Sequence, residues 1–214
     1  MIIIPSINKR EDLSLFNSLS TPLVILDREI EGINKDTVML SNKSGAYNAV
    51  KYLIDNGHKK IIILGGPEST KTVQKRVEGW RKAMEENDLY DEKLIFYGDF
   101  TIKSGYQMMK TVIESFKGVD AIFACNDIIA IGAMQAASEM GIRIPEHISV
   151  VGFDDIFISQ FLKPSLTTVK APLYEEGKTA AEILLDRIKG NKEDMPKRVI
   201  VETNLIIRDS VLKK

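Results

Sequence analysis

One segment of the sequence carries the clearest signal for the fold: VDAIFACNDIIAIGAMQAASEMGIRIPEHISVVGFDD, residues 119–155. Two apolar runs with a helical pattern between them predict one strand–helix–strand unit. Both predicted strands end in polar side chains, Asn126 and Asp127 in the first and Asp154 and Asp155 in the second. Because ligands of open parallel sheets bind outside the carboxyl ends of the strands, these residues are candidate ligand contacts.

The same alternation of strand and helix extends along the chain on both sides of this stretch. Apolar runs that predict strands occur at residues 2–4, 23–26, 61–64, 94–97, 121–124 and 148–151. From residue 61 onward their spacing is roughly thirty residues, as strand–helix–strand units require. The pattern predicts an α/β protein with a doubly wound parallel sheet and helices on both of its faces. After residue 164 the alternation gives way to a helix at 173–188 and closing strands near 199–201 and 205–207.

Composition excludes several classes of function. Of 214 residues, 44% are apolar and 28% charged, with a formal net charge of −1, so no basic footprint for nucleic acid exists in this segment. No run of eighteen apolar residues is present, which predicts a cytoplasmic protein without a membrane span. One cysteine and two histidines, unclustered, predict neither a disulfide nor a metal site. No cofactor is expected, because Gly65-Gly66-Pro67 matches no phosphate-binding pattern.

Further polar residues follow other predicted strands. Asp27 and Arg28 end the run at 23–26, Phe100 follows the run at 94–97, and Arg76 lies in the first turns of a helix. Taken singly, Asp27 fits a turn residue, Phe100 a core residue and Arg76 a solvated side chain. Together with Asn126 they supply the planar donors, acceptors and flat apolar surface that a polyhydroxylated ring needs.

Catalytic groupings are weak. No Ser–His–Asp or Cys–His set is visible, and burial is the expected role of Cys125. Asp27 and Asp154 could face each other as in glycoside hydrolysis, but nothing in the sequence raises the pKa of either carboxyl. The sequence therefore predicts binding and no enzyme activity.

Four stretches resemble one family closely. They are NDIIAIGAMQAASEMGIRIPEHISVVGFDDIFISQFLKPSLTTV (126–169), TVQKRVEGW (72–80), SGAYNAVKYLIDNGHKKIIILGG (44–66) and LIIRDS (205–210). The family is that of the sugar-responsive transcriptional repressors of the lactose/galactose repressor type, whose effector domain is similar to periplasmic sugar-binding proteins. The resemblance implies a two-lobed periplasmic-binding-protein-like fold of doubly wound parallel sheets, with a small sugar bound in the cleft between the lobes.

The resemblance also implies roles for individual residues. The implied ligand-binding set is Asp27, Arg28, Arg76, Phe100, Asn126 and Asp154, with Phe100 stacking on the effector. This set resembles that of members that bind ribose or a related aldose. Ile131 and Leu162 fall on positions that help form the dimer interface in the family, which implies a homodimer. Asp127 and Asp155 are then expected to be structural caps.

Two departures from the family pattern stand out. Many members place a glutamine facing the sugar where this chain has Ala171. The helix-turn-helix, the hinge helix and two strand–helix units that precede the first strand in the family are missing, so the first lobe is expected to be incomplete. Residues 1–42 and 172–192 are assigned to this partial amino-terminal lobe, and residues 43–171 and 193–214 to the carboxyl-terminal lobe.

The predicted function is ligand sensing for a sugar-responsive transcriptional repressor. Sugar binding would favour a closed cleft, and DNA would be reached only through the helix-turn-helix that this chain lacks. One alternative is a free-standing sugar-binding protein of a transport system, which an upstream signal peptide would favour. A third possibility, an isomerase or hydrolase acting on a sugar, requires a general base beside the ligand.

Overall fold

The computed structural model describes residues 1–4, 10–28, 30, 32–190 and 195–214. The chain divides into two compact units. The first unit comprises Met1–Ser41 and Pro172–Glu202, and the second comprises Asn42–Ala171 and Thr203–Lys214. No helix among the described residues has the length and hydropathy needed to cross a membrane.

Strands and helices alternate along most of the chain. In order they are β1 (Ile2–Ile3), α1 (Arg10–Ser18), β2 (Val24–Leu26), β3 (Asp36–Leu40), α2 (Asn42–Asp55), β4 (Ile61–Gly65), α3 (Lys71–Glu85), β5 (Ile95–Tyr97), α4 (Ile102–Ser115), β6 (Ala121–Ala124), α5 (Asp127–Glu139), β7 (Ser149–Asp154), β8 (Thr167–Lys170), α6 (Leu173–Ile188), β9 (Arg198–Val201) and β10 (Asn204–Ile206). Short 3-10 helices lie at Glu92–Leu94 and Phe157–Phe161.

The described residues of the first unit form a parallel sheet in the order β1-β2-β3-β9. Helix α6 packs against β2 and β3. Its Ala180 and Ile183 join Val24 of β2 and Val38 of β3 in a small apolar core. These β-branched strand residues suit a buried parallel sheet, in which both faces are covered.

The second unit, all of whose residues are described, contains a six-stranded sheet in the order β10-β8-β7-β6-β4-β5. All neighbours in it are parallel except β10, which runs antiparallel to β8. Residues Ile61–Gly65 of β4 are buried throughout, which explains why this strand reads as an uninterrupted apolar run. The α/β fold with parallel sheets predicted from the sequence is confirmed.

Helices pair closely in the second unit, α2 with α3 and α4 with α5. Gly79 of α3 faces the backbone carbonyl of Lys43, and Gly132 of α5 faces that of Ile102. A Cβ atom at either glycine would collide with backbone, so a side chain there would push the paired helices apart.

The unit boundaries differ from the predicted lobes at two places: Asn42, expected in the first lobe, begins the second unit, and the first unit continues to Glu202. Residues 193–214 were all expected in the second lobe, but β9 pairs with β3 of the first unit through Val38↔Val199 and Leu40↔Val201. Val199 and Val201 pack against the apolar core of the first unit, which favours this pairing. The chain passes to the second unit only after Glu202, where β10 pairs with β8.

Candidate ligand-binding site

Most of the predicted ligand residues lie at the carboxyl edge of the second unit's sheet. The parallel register pairs Leu64 of β4 with Ala124 of β6, and Phe123 of β6 with Val151 of β7. The ends of these strands therefore share one edge. The structure places Asn126 and Asp154 there, as the sequence indicated.

Arg76 contacts several residues at this edge of the sheet. Its Nε donates to Oδ1 of Asn42 at 2.8 Å, and its Nη1 donates to the backbone carbonyl of Cys125. The same Nη1 lies 3.3 Å from Oδ1 of Asp154, and the guanidinium carbon lies 3.6 Å from the centroid of the Phe153 ring. Arg76 is only 7% exposed. The solvated role that its helix position allowed does not apply, because the guanidinium group is fixed beside the carboxylate of Asp154.

Asn42 is a partner of this group that the sequence did not reveal. It is the first residue of α2 and of the second unit, and it is buried. An asparagine at the start of a helix reads as a capping residue, and its contact with Arg76 spans 34 positions. Only the folded chain brings the two side chains together.

Asn126 caps helix α5. Its Oδ1 accepts a hydrogen bond from the backbone N–H of Ile129 at 2.8 Å, which satisfies a donor of the first helical turn. The amide Nδ2 makes no hydrogen bond within the second unit, all of which is described. A cap that uses only the carbonyl oxygen leaves two N–H donors for a ligand.

Asp154 has a strained backbone. Its φ is 108°, and that of Asp155 is 56°, values that side-chain-bearing residues rarely adopt. The backbone oxygen of Asp154 accepts from the N–H of buried Ala171 at 3.3 Å. The side chain of Asp154 is 31% exposed and remains accessible beside Arg76. Strain of this kind clusters at binding sites, where the surrounding structure holds the residue in place.

The neighbouring carboxylates of Asp127 and Asp155 hold the scaffold together. Fully buried Asp127 accepts from the Oγ of Ser159 at 2.6 Å, from the Oγ1 of Thr168 at 2.5 Å and from the backbone N–H of Ile156 at 2.9 Å. Burial raises the pKa of this carboxyl, and the three hydrogen bonds oppose that effect. Asp155 accepts from Arg208 at 2.6 Å. These carboxylates are engaged within the unit, as structural residues are.

Phe100 lies in the segment before α4 and is 39% exposed. Its ring rests on Gly66, where any Cβ atom would collide with the ring. The glycines after β4 therefore make room for an aromatic ring at the carboxyl edge of the sheet. An exposed face on this ring is suited to stacking, so Phe100 is not a core residue.

Asp27 and Arg28 follow β2 in the first unit. Arg28 Nη1 donates to Oδ2 of Asp27 at 2.8 Å and to the Asp27 backbone oxygen at 2.7 Å. Both side chains are about one-third exposed, at 28% for Asp27 and 34% for Arg28. Asp27 has a left-handed φ of 51°, so this strand end is strained as well.

Glu176 is a second residue that the sequence did not single out. It lies in the first turns of α6, where an acidic side chain reads as a solvated partner of the helix dipole. In the structure it is only 2% exposed. Burial, and next the charge of Asp27, raise the pKa of the Glu176 carboxyl to about 7.

The two predicted interface residues, Ile131 on α5 and Leu162 after the 3-10 helix, are both partly buried. Close to Leu162 in the chain, Phe157 is 76% exposed, Ile158 46% and Phe161 56%, and the two phenylalanine rings stack edge to face at 5.0 Å. Three large apolar side chains of one short helix are thus presented to solvent.

No set of histidine, cysteine and carboxylate side chains among the described residues could hold a metal ion. Burial raises the pKa of the Cys125 thiol to about 12, so it stays protonated and is unsuited to nucleophilic attack. The side chains of the site therefore suit a ligand that is bound by hydrogen bonds, charged groups and stacking.

Comparison with known proteins gives concordant matches. A model of periplasmic binding protein-like domains matches residues 50–211. The HTH-type transcriptional repressor PurR of Haemophilus influenzae is 38% identical over 217 residues, which cover 99% of this chain and 64% of that protein. The chain thus spans slightly less than two-thirds of the length of the curated relatives it matches.

Two solved structures extend the comparison. A sugar-binding transcriptional regulator of the LacI family from Escherichia coli, complexed with phosphate, is 32% identical with a TM-score of 0.87, over 100% of this chain and 77% of that one. A LacI family regulator from Enterococcus faecium with bound ribose is 29% identical with a TM-score of 0.80, over 90% of this chain and 71% of that one. These relatives are transcriptional regulators and none is described as an enzyme.

Proposed function

The chain belongs to the LacI family of transcriptional regulators, as a periplasmic binding protein-like domain, and on that basis we propose that it senses a small sugar for a transcriptional repressor. The observation that carries the proposal is the group of Arg76, Asn126 and Asp154 at one edge of the sheet. A fixed guanidinium group, an amide with spare donors and a strained carboxylate bind vicinal hydroxyls well.

Ribose or a related aldose is the proposed effector class. A relative with bound ribose supports this choice, and the exposed ring of Phe100 offers a flat surface for the apolar face of such a sugar. Asp27 and Arg28 of the first unit are proposed to contribute further polar contacts. Ala171 adds no polar side chain, so fewer hydrogen bonds are available than the family pattern suggests.

DNA contact is proposed to be made by a helix-turn-helix that is not among these 214 residues. The relatives named HTH-type are longer than this chain, and its net charge of −1 gives no overall electrostatic attraction to DNA. The proposed regulator works in the cytoplasm and catalyses no reaction. Sugar binding would act by preferring one of two arrangements of the full-length protein.

Removing one ligand-binding side chain at a time tests the proposal. We expect Asn126→Ala and Asp154→Ala each to weaken sugar affinity by about 1 kcal/mol or more, roughly fivefold, because each removes hydrogen bonds to the effector. Isothermal titration calorimetry with ribose, glucose, galactose and cellobiose measures the effect. Asp209→Ala, which removes an exposed carboxylate of the same unit, is the matched control. A parent chain that binds no sugar of the panel would refute the proposed function.

The proposed homodimer uses the exposed apolar surface formed by Phe157, Ile158 and Phe161, with Ile131 and Leu162 at the same interface. We expect Phe161→Glu to weaken dimerisation at least about tenfold, because it would bury an unpaired charge in the interface. Sedimentation equilibrium measures the dissociation constant. Tyr174→Glu is the control, since Tyr174 is 78% exposed but belongs to the first unit. A parent chain that stays monomeric at high concentration contradicts this assignment.

A further inference from the structure

Glu176 carries a buried polar atom with no partner. Its Oε1 is inaccessible to solvent and makes no hydrogen bond with any described residue. Buried polar side-chain atoms in native proteins nearly always have a partner, so each exception calls for an explanation. Either the fold tolerates the missing hydrogen bond to Oε1, or a molecule outside this chain supplies it.

The surroundings of Glu176 are the proposed ligand residues of the first unit. Helix α6 packs against β2, and among the described residues the charges that act on Glu176 are those of Asp27 and Arg28, directly after that strand. A backbone hydrogen bond from Asp27 to the Glu176 carboxyl lowers its pKa and opposes part of the effect of burial. Asp36, on β3, is engaged by Arg187 near the other end of α6. Strand β1 carries no charged side chain. The unpaired oxygen therefore belongs to the same neighbourhood as two residues already expected to contact the sugar.

A buried carboxyl with one unpaired oxygen is costly for the fold. Burial, and next the negative charge of Asp27, raise the pKa of Glu176 to about 7, so ionising this carboxyl in the folded chain costs free energy. A glutamine or a methionine would fit similar space without that cost. A residue that is costly for folding and lies beside a binding group fits a role in recognition.

We propose that Glu176 is a further ligand-binding residue, whose Oε1 accepts a hydrogen bond from a hydroxyl group of the effector. We expect a neutral hydroxyl as the donor and not a cation, because Arg28 already balances the charge of Asp27. This inference rests on the proposed sugar-binding function and adds a specificity-determining contact to it.

Two variants separate recognition from folding. We expect Glu176→Gln to keep sugar affinity within about threefold, because its amide oxygen still accepts a hydrogen bond, and Glu176→Met to lose at least about tenfold. Both variants should raise the thermal unfolding midpoint at pH 8, where the parent carboxyl is ionised. Calorimetry with the sugar panel at pH 7.5 and thermal unfolding measure the two effects.

Proton linkage gives an independent readout. A hydrogen bond from a hydroxyl favours the charged carboxylate and so lowers its pKa on binding. Titrations at pH 7 in two buffers of different ionisation enthalpy should therefore show proton release for the parent chain and none for Glu176→Gln.

The outcomes distinguish the role of Glu176 from the sugar-binding function itself. Equal affinity of the parent chain and Glu176→Met, or unchanged proton release in Glu176→Gln, overturns the role of Glu176 and leaves the sugar-binding function standing. A parent chain that binds no sugar of the panel overturns both.

Discussion

Replacing Arg187 with alanine is expected to lower the free energy of unfolding by about 3–5 kcal/mol, because it leaves a buried carboxylate without its counter-ion. Asp36 is 6% exposed, and its Oδ2 and Oδ1 accept from Arg187 Nε at 2.9 Å and Nη2 at 2.8 Å. The backbone N–H of Lys197 adds a third hydrogen bond at 2.7 Å. This arrangement ties α6 and the start of β9 to β3, so its loss affects the whole first unit.

Urea denaturation at pH 7 measures the effect. Lys178→Ala is the matched control on the same helix, because Lys178 forms an exposed pair with Glu182 at 3.9 Å and its loss should change stability by less than about 0.5 kcal/mol. A loss below about 1 kcal/mol for Arg187→Ala would mean that Asp36 finds another partner or water.

The ion pair of Asp36 and Arg187 also predicts that the free energy of unfolding falls at acidic pH. Burial alone would raise the pKa of Asp36, but Arg187 and Lys197 outweigh it, and the net pKa is lowered. A lowered folded-state pKa contributes stability above the unfolded value of 3.8, and this is lost as the pH falls through the folded value. In Arg187→Ala only burial and the Lys197 contacts remain, so this acid-dependent contribution should shrink.

Replacing Arg76 with methionine is expected to weaken sugar binding by about 100-fold, because a buried charge that orients the site would be removed. The change leaves Asp154 without its ion pair and the Oδ1 of Asn42 without the guanidinium donor. Methionine keeps most of the packing on the Phe153 ring, so the fold should survive while the site loses its order.

Calorimetry with the tightest sugar of the panel measures this loss, and thermal unfolding checks the fold. Arg81→Met is the control, since Arg81 is an exposed arginine of the same helix whose charge lies over Tyr90. Affinity within about threefold of the parent in a folded Arg76→Met variant would remove Arg76 from the site.

The sequence predicts the core strands of the second unit's sheet, and it predicts that Asn126 and Asp154 lie at the carboxyl edge of that sheet. Strands β4 and β6 are fully buried, so their runs of apolar residues identify them without further context. Asn126 and Asp154 are recognisable because polar residues directly follow such strands. In these cases the local sequence alone is enough to identify the strand and the residues that follow it.

Contacts between distant segments could not be predicted in the same way. Strand β9 has a pattern that suits either unit, and only its pairing with β3 decides where it lies. Asn42 and Glu176 both read as ordinary residues of a helix start, and their roles depend on side chains from other elements. Tertiary packing, which local periodicity does not contain, fixes these features.

A crystal structure with the tightest-binding sugar of the panel is the sharpest test of sugar binding at the edge of the second unit's sheet. We predict sugar hydroxyls within hydrogen-bonding distance of Asn126 Nδ2 and the Asp154 carboxylate, with Arg76 still paired to Asp154. A sugar bound elsewhere, with Asn126 and Asp154 contacting only water, would show that this edge is not the binding site.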